Sequence, residues 1–212
     1  MPLNWTKADL FTVTKAYADR YDAEVNDNLD FMLGLAEDRM SRIMRNREMS
    51  AEYSISAVDG QGTYNLPVDF AGMRDIQLKD GVTFHYLNPE QLNNISLIYA
   101  NLIYYTIVGN TLKINPVIGV KDGEQLFIDI IYYQRVPPLT DNTDSNWILA
   151  HHADIYKAAM SAEVEVFVKN DQRAGAFWTQ LDGMFAEIEN RDWQDRWSGT
   201  SLATRLETNR GH

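Results

Sequence analysis

The chain has 212 residues, 45% of them apolar, with a formal charge of −11 and no cysteine. That apolar content supports a packed core and excludes global disorder. The acidity excludes general affinity for nucleic-acid phosphates, though not a surface that DNA passes without sticking, and the absence of cysteine excludes disulfides and thiolate metal sites.

No apolar run of about eighteen residues is present, so no membrane span is expected. The start, MPLNWTKADL, lacks the basic and apolar regions of a signal peptide. The default location is the cytoplasm of the producing cell.

Thr6-Lys7-Ala8-Asp9 resembles a capping box with Asp in place of Glu. Leu10, Val13, Tyr17 and Tyr21 then recur at helical spacing and predict a helix over 6–21. A longer helix is expected over 24–47. Its stripe is Val25, Leu29, Met32, Leu33, Ala36, Met40, Ile43 and Met44. Acids crowd its start and Arg39, Arg42, Arg45 and Arg47 its end, as the helix dipole favours. Dipole matching and solubility account for those arginines; a contact surface for an acidic neighbour is the sharper alternative.

At Ser50 the composition turns to Tyr, Ile, Val and Thr, with frequent turn signals. Strand alternation marks 53–57, and Asp59-Gly60-Gln61-Gly62 reads as a turn. A short strand over 63–66 ends at Pro67. Ile76 and Leu78 are expected to meet Val82, Phe84 and Tyr86 in a hairpin across Asp80-Gly81. Asn88-Pro89-Glu90 starts a short helix. A second hairpin joins 102–108 to 111–114 through Gly109-Asn110. The long strand after Gln125 points Leu126, Ile128, Ile130 and Tyr132 one way and Phe127, Asp129, Ile131 and Tyr133 the other, until Pro137-Pro138 stops it.

A polar loop, 140–145, leads to a helix capped by Asn146. The next helix has an inner stripe of Ile155, Ala158, Ala159, Ala162 and Val166. Lys169-Asn170-Asp171 breaks it. The last helix, 172–193, places Ala174, Phe177, Trp178, Leu181, Met184, Phe185 and Ile188 on one face. If Trp178 is core, truncation to alanine should cost about 3–5 kcal/mol. Residues 197–212 have no period and should be disordered alone or fold on a partner.

All five tryptophans lie outside the β-rich middle. The expected fold is therefore α+β: a helical bundle built from both chain ends with an inserted antiparallel β-domain, a small sandwich or barrel-like sheet. The expected division is 1–49 and 137–197 for the bundle, 50–136 for the insertion, and 198–212 for an extended tail.

The sequence singles out no catalytic, cofactor or metal site. His151 and His152 are adjacent, so on a helix they point about 100° apart and share a metal poorly. No histidine–glutamate zinc motif, nucleophile elbow or glycine-rich phosphate loop occurs. His85, between Phe84 and Tyr86, suits a packed or edge position. Glu163 and Glu165 face different ways. Asp192 and Asp195, with Arg191 and Arg196, read as a solvated helix end. Tyr104-Tyr105 and Tyr132-Tyr133 suit core and interface better than base stacking. An acid pair acting on polysaccharide is always available among so many carboxylates, but no spacing marks one.

Four stretches then occur in order: Gly62-Thr63-Tyr64-Asn65-Leu66-Pro67-Val68-Asp69-Phe70; Gly109-Asn110-Thr111-Leu112-Lys113-Ile114-Asn115-Pro116; Ile131-Tyr132-Tyr133 with Pro137-Pro138-Leu139-Thr140-Asp141; and Ser145-Asn146-Trp147-Ile148-Leu149. The alanine-rich helix, Asp171 and Trp178 follow. This ordered set resembles the head-to-tail adaptor (connector) proteins of short-tailed bacteriophages, of the tail-tubular-A type, over residues 51–193. His152 stands where that family commonly has proline, and the N-terminal helices carry no matching motif.

The resemblance implies a non-enzymatic virion protein of the phage neck, made in the host cytoplasm. It would form a ring, a dodecamer, joining the portal protein to the tail nozzle protein and continuing the DNA channel without sequence-specific binding. Such tails reach toward the portal, which makes Trp197, Leu202, Arg205, Leu206 and Arg210 portal-contact candidates. Arg39, Arg42, Arg45, Tyr104 and Tyr132 are subunit-interface candidates. Another tail or nozzle subunit is the alternative.

Overall fold

The computed structural model describes residues 5–78, 81–94, 102–121 and 125–197. Helix α1, Lys7–Ala18, starts at the predicted cap: Thr6 accepts from the Asp9 amide while the Asp9 carboxylate takes the Thr6 amide. The chain then breaks where one long helix was expected. Helix α2 is Ala23–Asp27 and helix α3 is Leu29–Ile43. Between them Asn28 leaves helical geometry (φ −110, ψ 5), and its side-chain amide donates to the Glu24 carbonyl. That local bond competes with helix continuation. Helix α3 also stops at Ile43 rather than 47, because Arg45 folds back and donates to the Ser41 and Met44 carbonyls.

Seven strands follow among the described residues. They are β1 Ser50–Ser56, β2 Thr63–Asn65, β3 Phe70–Leu78, β4 Phe84–Tyr86, β5 Ile103–Val108, β6 Thr111–Asn115 and β7 Phe127–Gln134, with helix α4, Pro89–Asn94, after β4. They form two sheets, ordered β1-β7-β3 and β2-β6-β5-β4. Both sheets feed one core, in which Ile55, Ile76, Ile128 and Ile130 meet Tyr64, Phe84, Leu112 and Ile114. The expected alternation holds in β7, where Ile128, Ile130 and Tyr132 are buried.

The hairpin expected across Asp80-Gly81 is begun but not continued into β4. Gly81 does turn the chain at φ 82, and the Leu78 amide reaches the Val82 carbonyl. Beyond one bridge, Gln77 to Thr83, the strands part, and β4 joins the other sheet, parallel to β5. Burying Phe84 between the sheets favours this corner over an exposed two-stranded ribbon. Lys79 and Asp80 lie outside the described residues.

After β7 come α5 Trp147–His151, α6 Ala153–Phe167 and α7 Asp171–Trp197. A second core joins α1, α3, α5, α6 and α7 through Leu10, Met32, Leu33, Met40, Leu149, Tyr156 and Phe185. The fold is thus α+β, with helices at both ends around a central β-region. Three stripe assignments are corrected. Helix α1 ends at Ala18 rather than 21, with Tyr17 49% exposed and Tyr21, beyond its end, 66% exposed. Val166 is 46% exposed while Val164 is fully buried, and Ile43 is 37% exposed. Helix α6 buries a broad face, with Ala158, Ala159, Met160 and Ala162 all inside, so a narrow stripe understates it.

Candidate interaction surface

The loop that leaves β7 is held by buried polar bonds. The Val136 amide donates to Ser41 Oγ at 3.0 Å, and the Leu139 amide to Glu37 Oε1 at 2.8 Å. The Tyr156 hydroxyl donates to the same Glu37 oxygen at 3.0 Å. Asn146 does double duty: its carbonyl caps α5 through the Leu149 amide, and its NH2 donates to the Pro137 carbonyl and to the Tyr156 hydroxyl. Burial pushes the Glu37 carboxyl above its ordinary value, against the pull of the Leu139 and Tyr156 bonds. Burial also pushes the Tyr156 phenol up, helped by the Glu37 charge.

The first signature stretch is tied to the same place. Asp69 accepts the Tyr132 hydroxyl at 3.0 Å, and its carbonyl accepts the Arg135 amide at 2.7 Å. Phe70 stacks on Tyr132 with centroids 5.8 Å apart. Burial and the Asp69 bond push the Tyr132 phenol up to about 12. On the other side, Lys7 bridges Asp30 at 2.6 Å and Asp141 at 2.9 Å. Parts of the first and third motif stretches, Val68-Asp69 and Pro137-Pro138, therefore meet beside α3 from positions far apart in the chain.

There they border an open cleft of about 790 Å³ between α3, the Val68-Asp69 turn and Pro137-Pro138. Phe31 is 62% exposed, Leu35 40% and Val68 96%. Phe31, Leu35, Asp38 and Arg42 follow helical spacing along the outer face of α3, opposite the core stripe. Large apolar side chains grouped in one exposed cleft mark an interaction surface more often than chance. Sequence reasoning passed over Phe31 and Leu35. The signal was available: two large apolar residues sit on the polar side of an amphipathic helix.

Among the interface candidates, Arg39 lies 3.5 Å from the centroid of Trp178, and Arg45 holds its own helix end beside Tyr133. Arg42 is exposed. Arg39 and Arg42 both draw down the Glu163 carboxyl, which burial raises. Tyr104 is half-buried beside His85, and Tyr132 is 5% exposed within the sheet core. Trp197 ends α7; Leu202, Arg205, Leu206 and Arg210 lie outside the described residues.

The helix end expected to be solvated is not so at Asp192. This residue is 8% exposed and accepts the Arg47 amide at 3.3 Å, which joins α7 to the turn after α3. His152 sits 3.4 Å from Glu48, His151 and His85 are exposed, and Glu165 is buried against Arg173 at 3.0 Å. Among the described residues no cluster of His, Asp and Glu could hold a metal, and no helix is long and apolar enough to cross a membrane.

A family model described as SU10 adaptor protein matches residues 6–205, and so takes in the N-terminal helices that carry no recognisable motif. No curated protein matches the chain.

Proposed function

The chain belongs to the SU10 adaptor protein family, and from that premise we propose how this phage adaptor, a virion component that associates with other head and tail proteins, carries out its role. It joins the portal protein to the tail nozzle protein as a ring, a dodecamer, and continues the DNA channel after packaging. It acts by contact rather than by catalysis.

The observation that supports this most is the cleft beside α3. The motif residues Val68, Asp69, Pro137 and Pro138 border it, and Phe31 and Leu35 open into it. A ring needs two different surfaces that meet head to tail. An apolar cleft on one side of a rigid joint supplies one such surface. Residues 137–197 and 1–49 act as the bundle, 50–136 as the inserted domain and 198–212 as the tail. Trp197, Leu202, Arg205, Leu206 and Arg210 are the proposed portal contacts. Exposed Arg42 and half-buried Tyr104 are the better placed of the proposed subunit contacts, since Arg39, Arg45 and Tyr132 already serve their own chain.

The strong negative charge suits a channel wall that DNA slides past without adhering. The chain is made in the host cytoplasm and ends in the neck of the particle. Cross-linking within assembled particles tests the assignment. Links from this chain to portal support it; links only to distal tail components make it a different tail subunit.

A further inference from the structure

Among the described residues the two sheets end in four edge strands, β1, β3, β2 and β4. Strands β2 and β4 are three residues long. Strand β3 shifts register at Phe70/Gly72 and again at Met73/Asp75, and such irregularities turn an edge away from a new partner. Strand β1, Ser50–Ser56, runs seven residues with no shift in its pairing to β7. It holds no proline or lysine, residues that commonly blunt an edge.

The register tells which main-chain groups of β1 face outward. One step beyond the Ser56–Phe127 pair, the Ala57 amide donates to the Leu126 carbonyl at 2.9 Å. Ala57 and Leu126 are thus a hydrogen-bonded pair, and such pairs recur at every second residue. Ala51, Tyr53 and Ile55 therefore direct their main-chain groups at β7. The amides and carbonyls of Glu52, Ser54 and Ser56 point the other way. Among the described residues these groups meet no partner, and all three residues are exposed.

The two faces beside this edge differ in chemistry. Ala51, Tyr53 and Ile55 belong to the inner face, with Ile55 in the core and Tyr53 45% exposed. Glu52 and Ser54 belong to the outer face, shared with Asp129 of β7 and Asp75 of β3. Ser54 donates its hydroxyl to Asp129, and Arg74 reaches this face at the Ser50 hydroxyl. Glu52 stands exposed at the edge itself. A strand that fits here is extended, apolar where it covers Tyr53 and basic where it lies beside Glu52.

We propose that the outer edge of β1 receives such a strand from another head or tail protein of the particle. The inference rests on the reading of this chain as an adaptor in the assembled particle. A second copy is the poorer donor. Its other edges are short or bulged, and pairing β1 with β1 needs a two-fold axis that a head-to-tail ring lacks. Main-chain bonds to Glu52, Ser54 and Ser56 supply the affinity, while Tyr53 and Glu52 select the register.

Hydrogen exchange on the full chain, free and in assembled particles, tests this. In the free chain the Glu52, Ser54 and Ser56 amides should exchange fast, and those of Tyr53 and Ile55 slowly. In particles the first three should slow several-fold; unchanged rates overturn the site. Ser54→Pro removes an amide that binds nothing in its own chain. It should melt like Ser54→Ala yet enter particles several-fold less well, and equal incorporation overturns the proposal. If Ser54→Pro misfolds, the exchange result on the unaltered chain decides. The chain has no cysteine, so Ser56→Cys carrying a photoreactive maleimide identifies the donor without background. A link to a different virion protein is expected; links only between two copies, or none, overturn the partner assigned. If the three amides stay fast in particles where this chain cross-links to portal, only the strand site falls. If they slow but the chain never contacts portal, the portal reading falls and the strand site stands.

Discussion

Glu37 and Leu139 are 102 positions apart, and the Leu139 amide donates to Glu37 Oε1 at 2.8 Å across the joint between α3 and the proline loop. With Tyr156 on the same oxygen, this carboxylate fixes the return of the chain from the β-region into the helices. Glu37 is 7% exposed, so its charge is retained at a cost in solvation.

That cost has a sign. Burial raises the folded-state pKa above the ordinary 4.5. The folded protein therefore holds this proton more tightly than the unfolded chain, and the charge weakens the fold as pH rises through and above 4.5. Glu37→Gln keeps an acceptor for both donors and removes the charge. Its stability should gain on the parent as pH goes from about 4 to 7, measured by urea melts at each pH. Glu37→Ala leaves the Leu139 amide and the Tyr156 O–H without an acceptor and should lose about 1–3 kcal/mol. A glutamine variant less stable than the parent at pH 7 would show that Glu37 acts through its charge.

Trp178 is half-buried and lies against Arg39 rather than deep in the core. Trp178→Ala should therefore cost about 2–3 kcal/mol, below the loss for a fully buried ring. In a double-mutant cycle with Arg39→Ala, a coupling near 1 kcal/mol is expected. Independent effects would mean that the stack contributes no stability.

Gly62 opens the first signature stretch where no side chain fits. A Cβ there would stand 2.9 Å from Val117 and 3.0 Å from the Ile114 carbonyl, and the Ile114 amide binds the Gly62 carbonyl at 2.8 Å. Gly62→Ala should cost about 1–3 kcal/mol by overpacking, read as a lowered thermal midpoint. An unchanged midpoint would show that the β2–β6 edge yields freely.

Deleting residues 199–212 should leave the circular-dichroism spectrum and melting of the chain unaltered while weakening its binding to portal rings. Portal binding at full strength would remove the tail from the docking account.

Periodicity made the helices legible, because burial on one face dictates their pattern: the stripe of α7 and the cap of α1 are seen as read. Pairing between distant strands was less legible. The Asp80-Gly81 signal is a real turn at Gly81, but the burial of Phe84 between two sheets decided where β4 went. Asn28 shows the same limit at close range, since one side-chain bond split a helix whose apolar pattern runs on. The motif residues Val68, Asp69, Pro137 and Pro138 border the cleft beside α3. Their meeting at Phe31 and Leu35 could not be read, because it depends on how the β-region is set against α3. Asp192 reads as part of a solvated helix end, but packing against the turn after α3 encloses it.

The central claim is that this chain bridges portal and tail as a ring. Negative-stain imaging of the purified protein mixed with portal rings tests it most directly. The expected result is a second ring of density beneath the portal, with the copy number confirmed by mass photometry. Portal rings that stay bare at saturating protein, while the same protein binds isolated distal tail components, would contradict it.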